Sequence, residues 1–286
     1  MIPAAFDYHV AESAEHAISL LSEHGDDAKL MAGGHSLVPM MKFRLATPGV
    51  VVDIGRLDDL RYINVDGDTV RIGATTRHTE LEHSAELAAA CPMLAHVASK
   101  VGDPQVRHRG TLGGTIGHAD PASDLPAAVL ALGGSIVATG PGGASREIAA
   151  TDFFTGYFES VLAVDEMITE IKVPVSTGAW NYQKFNRRAQ DWAIVGVAVA
   201  EGGKGVSLVN MGSTPVRASA VEAALAGGAS IDEAAAVAAE GMSQRSSLPR
   251  PLGSPGMVDG DPSPLERGRR TRLDGLPRSR WHCRAL

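Results

Sequence analysis

Residues 32–55 read AGGHSLVPMMKFRLATPGVVVDIG, and residues 110–124 read GTLGGTIGHADPASD. Each stretch sets paired glycines and a hydroxyl side chain, Ser36 or Thr111, behind an apolar strand or helix. Glycine admits backbone angles closed to other residues, and without a Cβ it lets main-chain N–H groups approach an anion. Two such turns could hold a diphosphate between them, largely by main-chain donors. Each by itself could equally be a tight turn. Neither G-x-G-x-x-G nor G-x-x-x-x-G-K-[ST] occurs in the chain, so a Rossmann or P-loop phosphate site is not supported.

Around the first turn the pattern is strand–helix. ESAEHAISLLSEHG places Ala14, Ala17, Ile18 and Leu21 on one helical face, with Ser13 as N-cap and Gly25 as left-handed C-cap. AKLM and VVVDIG read as short apolar strands, and DTVRIGATT alternates as a half-buried one. Thr76 is expected to cap a helix over RHTELEHSAELAAA, and MLAHVASKVG is expected to be helical. An apolar helix starts near Asp124, and SIVATG and EMITEIKVPV are strands. After residue 177, WNYQKFNRR, AIVGVAVAE and GVSLVNMGS read as three antiparallel strands, followed by alanine-rich helices to about residue 241. Strands and helices do not alternate strictly, which points to an α+β chain rather than a doubly wound parallel sheet.

Composition narrows the function. The 286 residues carry a net charge of −7, which argues against a general nucleic-acid partner. Only Cys91 and Cys283 are present, so the chain by itself cannot ligate an iron–sulfur cluster or build a disulfide framework. No apolar run is long enough to span a bilayer, and MIPAAFDYHV has no secretory pattern, so the expectation is a cytoplasmic protein. The charge is uneven: residues 243–286 hold nine arginines against four acids, with six prolines and no apolar stripe. That composition predicts a disordered basic tail. It also fits a reading-frame change near Met242, or a tail that meets an acidic partner or nucleic acid.

The two glycine stretches, together with FDYHV, MKFRLATP, DPQVRHRGT and FFTGYF, resemble the FAD-binding medium subunits of molybdenum hydroxylases, the xanthine dehydrogenase family. Within it the likeness is nearest to the aerobic carbon monoxide dehydrogenases, and it runs from about Met1 through Ala200. It implies a vanillyl-alcohol-oxidase-type (PCMH-type) FAD-binding domain over 1–176, in subdomains of about 1–55 and 56–176. A C-terminal flavoprotein domain over 177–242, incomplete because the usual closing helix is missing, and the tail 243–286 would follow. By resemblance Ala32, Gly33, Gly34, His35, Ser36 and Leu37 lie on the FAD diphosphate in the first loop. Thr111, Leu112, Gly113, Gly114 and Thr115 form the second, with Thr115 standing where asparagine is usual. Asp124 matches an FAD-contacting aspartate, although by itself it reads equally as a helix N-cap. Ile168 matches an apolar contact, Lys184 a lysine near the cofactor, and Trp192 a tyrosine beside the isoalloxazine. His35, His108 and His118 are read as loop residues; no catalytic residue and no metal ligand is assigned.

The resemblance further implies a molybdopterin-binding large subunit and a [2Fe–2S] small subunit as partners, in a dimer of heterotrimers. Electrons would pass from molybdenum through the clusters to FAD on this chain, then to an acceptor such as a quinone. Carbon monoxide is the favoured substrate among carbon monoxide, purines, aldehydes and N-heterocycles. A stand-alone FAD oxidoreductase, or a regulatory nucleotide-binding module, is the alternative.

Overall fold

The computed structural model describes residues 2–238; the readings of the tail from 243 to 286 lie outside them. Among the described residues three sheets carry the fold, with a two-stranded hairpin beside them.

The first part of the chain is a small β-α-β unit. Strands β1 (Asp7–Val10), β2 (Ala28–Met31) and β3 (Val50–Asp53) are parallel in the order β1-β3-β2, with α1 (Ala14–His24) and α2 (Leu37–Lys42) in the connections. The Ser13 hydroxyl accepts from the His16 N–H, as expected of an N-cap; Gly25 closes α1 by donating its N–H to the Leu21 carbonyl, but at φ 55° and ψ −134° it is not in the expected left-handed helical conformation. Ala17, Ile18 and Leu21 pack on Val50 and Val52 in one core. β1 is an element the alternation does not reveal, because half of it is exposed and its partner lies far along the chain.

The middle of the chain holds a five-stranded antiparallel sheet in the order β4-β5-β10-β6-β7. Its strands are β4 (Ile63–Asp66), β5 (Thr69–Gly73), β6 (Ser135–Thr139), β7 (Ser145–Ala149) and β10 (Met167–Pro174). Between β5 and β6 run α3 (His78–His83), α4 (Ala85–Ala90), α5 (Pro92–Ser99), α6 (Pro104–Arg109), α7 (Leu112–His118) and α8 (Asp124–Ala131). The single helix expected over 77–90 is two helices, because the Ser84 hydroxyl accepts from the Leu87 N–H and starts a new one. Thr76 is not a cap; its hydroxyl donates to the Tyr62 carbonyl. After β7, α9 (Ala150–Phe153) leads into the hairpin of β8 (Phe154–Gly156) and β9 (Glu159–Ser160). Every residue of α8 is buried, and it packs against α5 and the C-terminal sheet.

The C-terminal sheet has four strands where three were expected: β11 (Asn181–Phe185), β12 (Val195–Ala200), β13 (Gly205–Val209) and β14 (Val216–Arg217). β14 is only two residues long, too short to show a period of two. Helices α10 (Ser219–Ala226) and α11 (Ile231–Ala236) cover this sheet, with Val221 and Ala234 packed on Val206 and Leu208.

Candidate functional site

The first glycine stretch links β2 to α2. Gly34 has φ 75°, and the N–H groups of Gly33, Gly34, His35, Ser36 and Leu37 have no protein acceptor among the described residues. Such a run of open amides is an anion-binding surface. Partial burial, then the Arg109 charge, lowers the pKa of His35 at its centre.

The second stretch differs from what its glycines suggest. It is the first turn of α7, and its amides are already used. Leu112 donates to the Thr76 carbonyl at 3.0 Å, Gly113 to the Ala74 carbonyl at 2.9 Å, and Thr115 to the Thr111 carbonyl at 3.0 Å. Gly114 donates to the Thr111 hydroxyl at 3.1 Å. The expectation of a second main-chain cradle is therefore corrected. What α7 offers is a bare face: Gly114 and Gly117 are exposed and carry no side chain, while the Thr115 hydroxyl lies 3.0 Å from His78 Nε2.

The two stretches touch. A Cβ built on Gly33 would lie 2.0 Å from the Arg109 carbonyl oxygen, so only glycine allows the first loop to rest on the residues entering α7. Arg77 clasps the junction, its guanidinium donating to the Arg109 carbonyl and, at 3.3 Å, to the Gly55 carbonyl.

Above this junction a cavity of about 780 Å³ runs from Leu21 and Lys29 past both stretches to Lys184 and Trp192. Ala32, Gly33, Gly34, His35, Ser36, Leu37, Thr111, Gly113, Gly114, Thr115, Asp124, Ile168, Lys184 and Trp192 all line it. Leu112 does not; it is fully buried in the core. Ile168 reaches the wall at a bulge in β10, where the register against β6 slips between Ile168 and Glu170. The indole of Trp192 is half-exposed at the far end.

Asp124 is the first residue of α8, not its cap. Its carboxylate accepts from the Tyr182 hydroxyl at 2.5 Å and from the Lys184 ammonium at 2.8 Å. The ammonium also donates to the Lys100 carbonyl just past α5, at 3.1 Å. Lys184 thus sits at the negative end of one helix and Asp124 at the positive end of another. Burial pushes the Asp124 carboxyl above the usual carboxylate range, and the Lys184 charge and its hydrogen bond act against that. Burial and the Asp124 carboxylate raise the Tyr182 phenol.

Sequence reasoning missed several lining residues. His78, Gly117, Phe158 and Asp191 reach the cavity through long-range packing, and only Gly117 lies inside a glycine-rich stretch. Phe158 stacks on His118 with ring centroids 4.9 Å apart. Two buried side-chain polar atoms, His78 Nδ1 and Asp191 Oδ2, have no hydrogen-bond partner among the described residues, and both belong to lining residues. A dinucleotide fits this set: open amides for its anionic centre and a side-chain-free helix face for close approach. Among the described residues no helix is long and apolar enough to cross a membrane.

Comparison with known proteins agrees. Residues 4–176 match the family described as the FAD binding domain in molybdopterin dehydrogenase. Residues 180–256 match the CO dehydrogenase flavoprotein C-terminal domain. The chain belongs to the FAD-binding medium subunits of the molybdenum hydroxylase family, oxidoreductase-complex subunits that carry FAD. It is 42% identical to the carbon monoxide dehydrogenase medium chain of Hydrogenophaga pseudoflava, over 84% of this chain and 86% of the relative. It is 40% identical to a 6-hydroxypseudooxynicotine dehydrogenase complex subunit alpha of Paenarthrobacter nicotinovorans, over 78% of each. A solved carbon monoxide dehydrogenase from H. pseudoflava superposes with a TM-score of 0.78 at 44% identity, covering 83% of this chain and 86% of that one. Quinoline 2-oxidoreductase from Pseudomonas putida 86 superposes with a TM-score of 0.78 at 28% identity, covering 87% and 90%.

Proposed function

We propose that this chain relays electrons from the iron–sulfur clusters of a partner subunit, through FAD held in the cavity, to an external acceptor such as a quinone, within a cytoplasmic carbon monoxide dehydrogenase-type complex. The observation that carries the reading is the open run of amides from Gly33 to Leu37 facing the bare Gly114–Gly117 face of α7 across one cavity. When bound, FAD would take electrons one at a time from one-electron carriers and could pass them on singly or in pairs. The first-loop amides and the Ser36 hydroxyl bind its diphosphate, and the Thr115 hydroxyl adds a donor from the opposite side. Ile168 supplies an apolar wall, Lys184 and Asp124 a charged but balanced one, and Trp192 covers a face of the ring from the solvent side. The molybdopterin-binding subunit and the [2Fe–2S] subunit supply what this chain lacks.

Co-purification tests the reading. Produced together with a molybdopterin-binding chain and a [2Fe–2S] chain of the same family, the protein is expected to elute as one complex containing flavin. Its flavin absorbance is expected to bleach when carbon monoxide is added without an acceptor. Bleaching by an aldehyde or an N-heterocycle but not by carbon monoxide would replace the substrate. A complex without flavin would overturn the relay itself.

A further inference from the structure

We propose that His78 is a positioning residue of the FAD site, acting through Thr115: its ring fixes the direction in which the Thr115 hydroxyl presents its proton to the cavity. The inference rests on the FAD reading above and assigns a role to a residue that no glycine motif contains.

His78 opens α3, is 2% exposed, and is held from behind by its own N–H, which donates to the Gly110 carbonyl at 3.0 Å. Its Nε2 lies 3.0 Å from the Thr111 carbonyl oxygen and 3.0 Å from the Thr115 hydroxyl oxygen. A carbonyl oxygen can only accept, so Nε2 carries the proton. Nδ1 is then an unprotonated acceptor, which agrees with its having no partner among the described residues. The shared Nε2–H makes the Thr115 oxygen an acceptor on the side of the ring. The hydroxyl's own hydrogen is left to point the other way, into the cavity that Thr115 lines. An anionic oxygen of a diphosphate is the acceptor that suits it. Burial, opposed by the hydrogen bond to the Thr111 carbonyl and aided by the Arg107 and Arg77 charges, pushes the imidazole down to about 4, so the ring stays neutral.

A double-mutant cycle on the full chain tests the inference, with FAD affinity read from quenching of flavin fluorescence. His78→Leu and Thr115→Val are each expected to weaken binding about 10-fold, the worth of one hydrogen bond to a charged acceptor. The double variant is expected to be no weaker than the weaker single one. His78→Gln, whose amide nitrogen can take the place of Nε2, is expected to restore most of the affinity. Additive losses, or wild-type affinity in His78→Leu, would overturn the proposal. Nitrogen-15 NMR of the ring in the flavin-free wild-type chain provides a check that needs no variant to fold. It is expected to show the Nε2–H tautomer at neutral pH, and an Nδ1–H tautomer would overturn the proposal. If the wild-type chain binds no FAD, the FAD reading fails, and with it the cavity role of His78, whatever the tautomer.

Discussion

Gly33→Val is expected to lower FAD affinity by about 100-fold, roughly 3 kcal/mol at the upper end of what overpacking costs. The new Cβ would stand 2.0 Å from the Arg109 carbonyl oxygen and 2.7 Å from its carbon, a separation no side-chain rotation relieves, since both atoms are backbone. The first loop must lift away from α6 and α7, and the open amides then no longer face the bare helix face. Flavin fluorescence quenching measures the loss. Gly67→Ala is the control: Gly67 also lies in a turn, at φ 57°, but nothing lies within 4 Å of its Cβ position. It is expected to leave affinity unchanged. Near wild-type affinity in Gly33→Val would show that the contact between the two stretches is irrelevant to binding.

The second large effect concerns the buried ion pair. Asp124→Leu is expected to destabilise the chain by about 3–5 kcal/mol, the typical consequence of removing one partner of a buried pair. The Lys184 side chain is 9% exposed and would be left with only the Lys100 carbonyl as acceptor. The Tyr182 hydroxyl would lose its acceptor as well. Because α8 and β11 meet at this pair, the damage should spread to the packing of the C-terminal sheet on the FAD-binding domain. Adding Lys184→Met to Asp124→Leu is expected to recover part of the stability by removing the stranded ammonium. Urea denaturation of the three variants reads the effect, and a loss below about 1 kcal/mol in Asp124→Leu would mean that the pair is not a structural link.

Much of this arrangement is legible in the residues alone, for physical reasons that differ from place to place. Ala28–Met31 and Val50–Asp53 declare themselves because buried parallel strands need short apolar runs. The strands β4 and β7 are short and mostly exposed, so little local marks them; their pairing with β5 and β6 does. The first glycine loop reads correctly as a turn because Gly34 needs its positive φ. The second misleads, since glycine is a poor helix former and a pair of them argues against a helix. There the Thr111 cap and the carbonyls of Ala74 and Thr76 override propensity and hold the turn helical. Asp124 reads as a cap because it begins a helix, but its two partners on β11 are nearly sixty residues away in sequence, at Tyr182 and Lys184, and no local rule reaches that far. His78 was invisible for the same reason: its role depends on Thr111 and Thr115, which belong to a different helix.

Hydrogen–deuterium exchange with and without FAD tests the central claim most directly, because the two glycine stretches are predicted to respond differently. On binding, exchange at Gly33, Gly34, His35 and Ser36 is expected to slow strongly, as amides without a protein partner gain one. Leu112 and Gly113, already bonded to Thr76 and Ala74, are expected to exchange slowly in both states. FAD bound with no slowing from Gly33 to Ser36 would contradict the account.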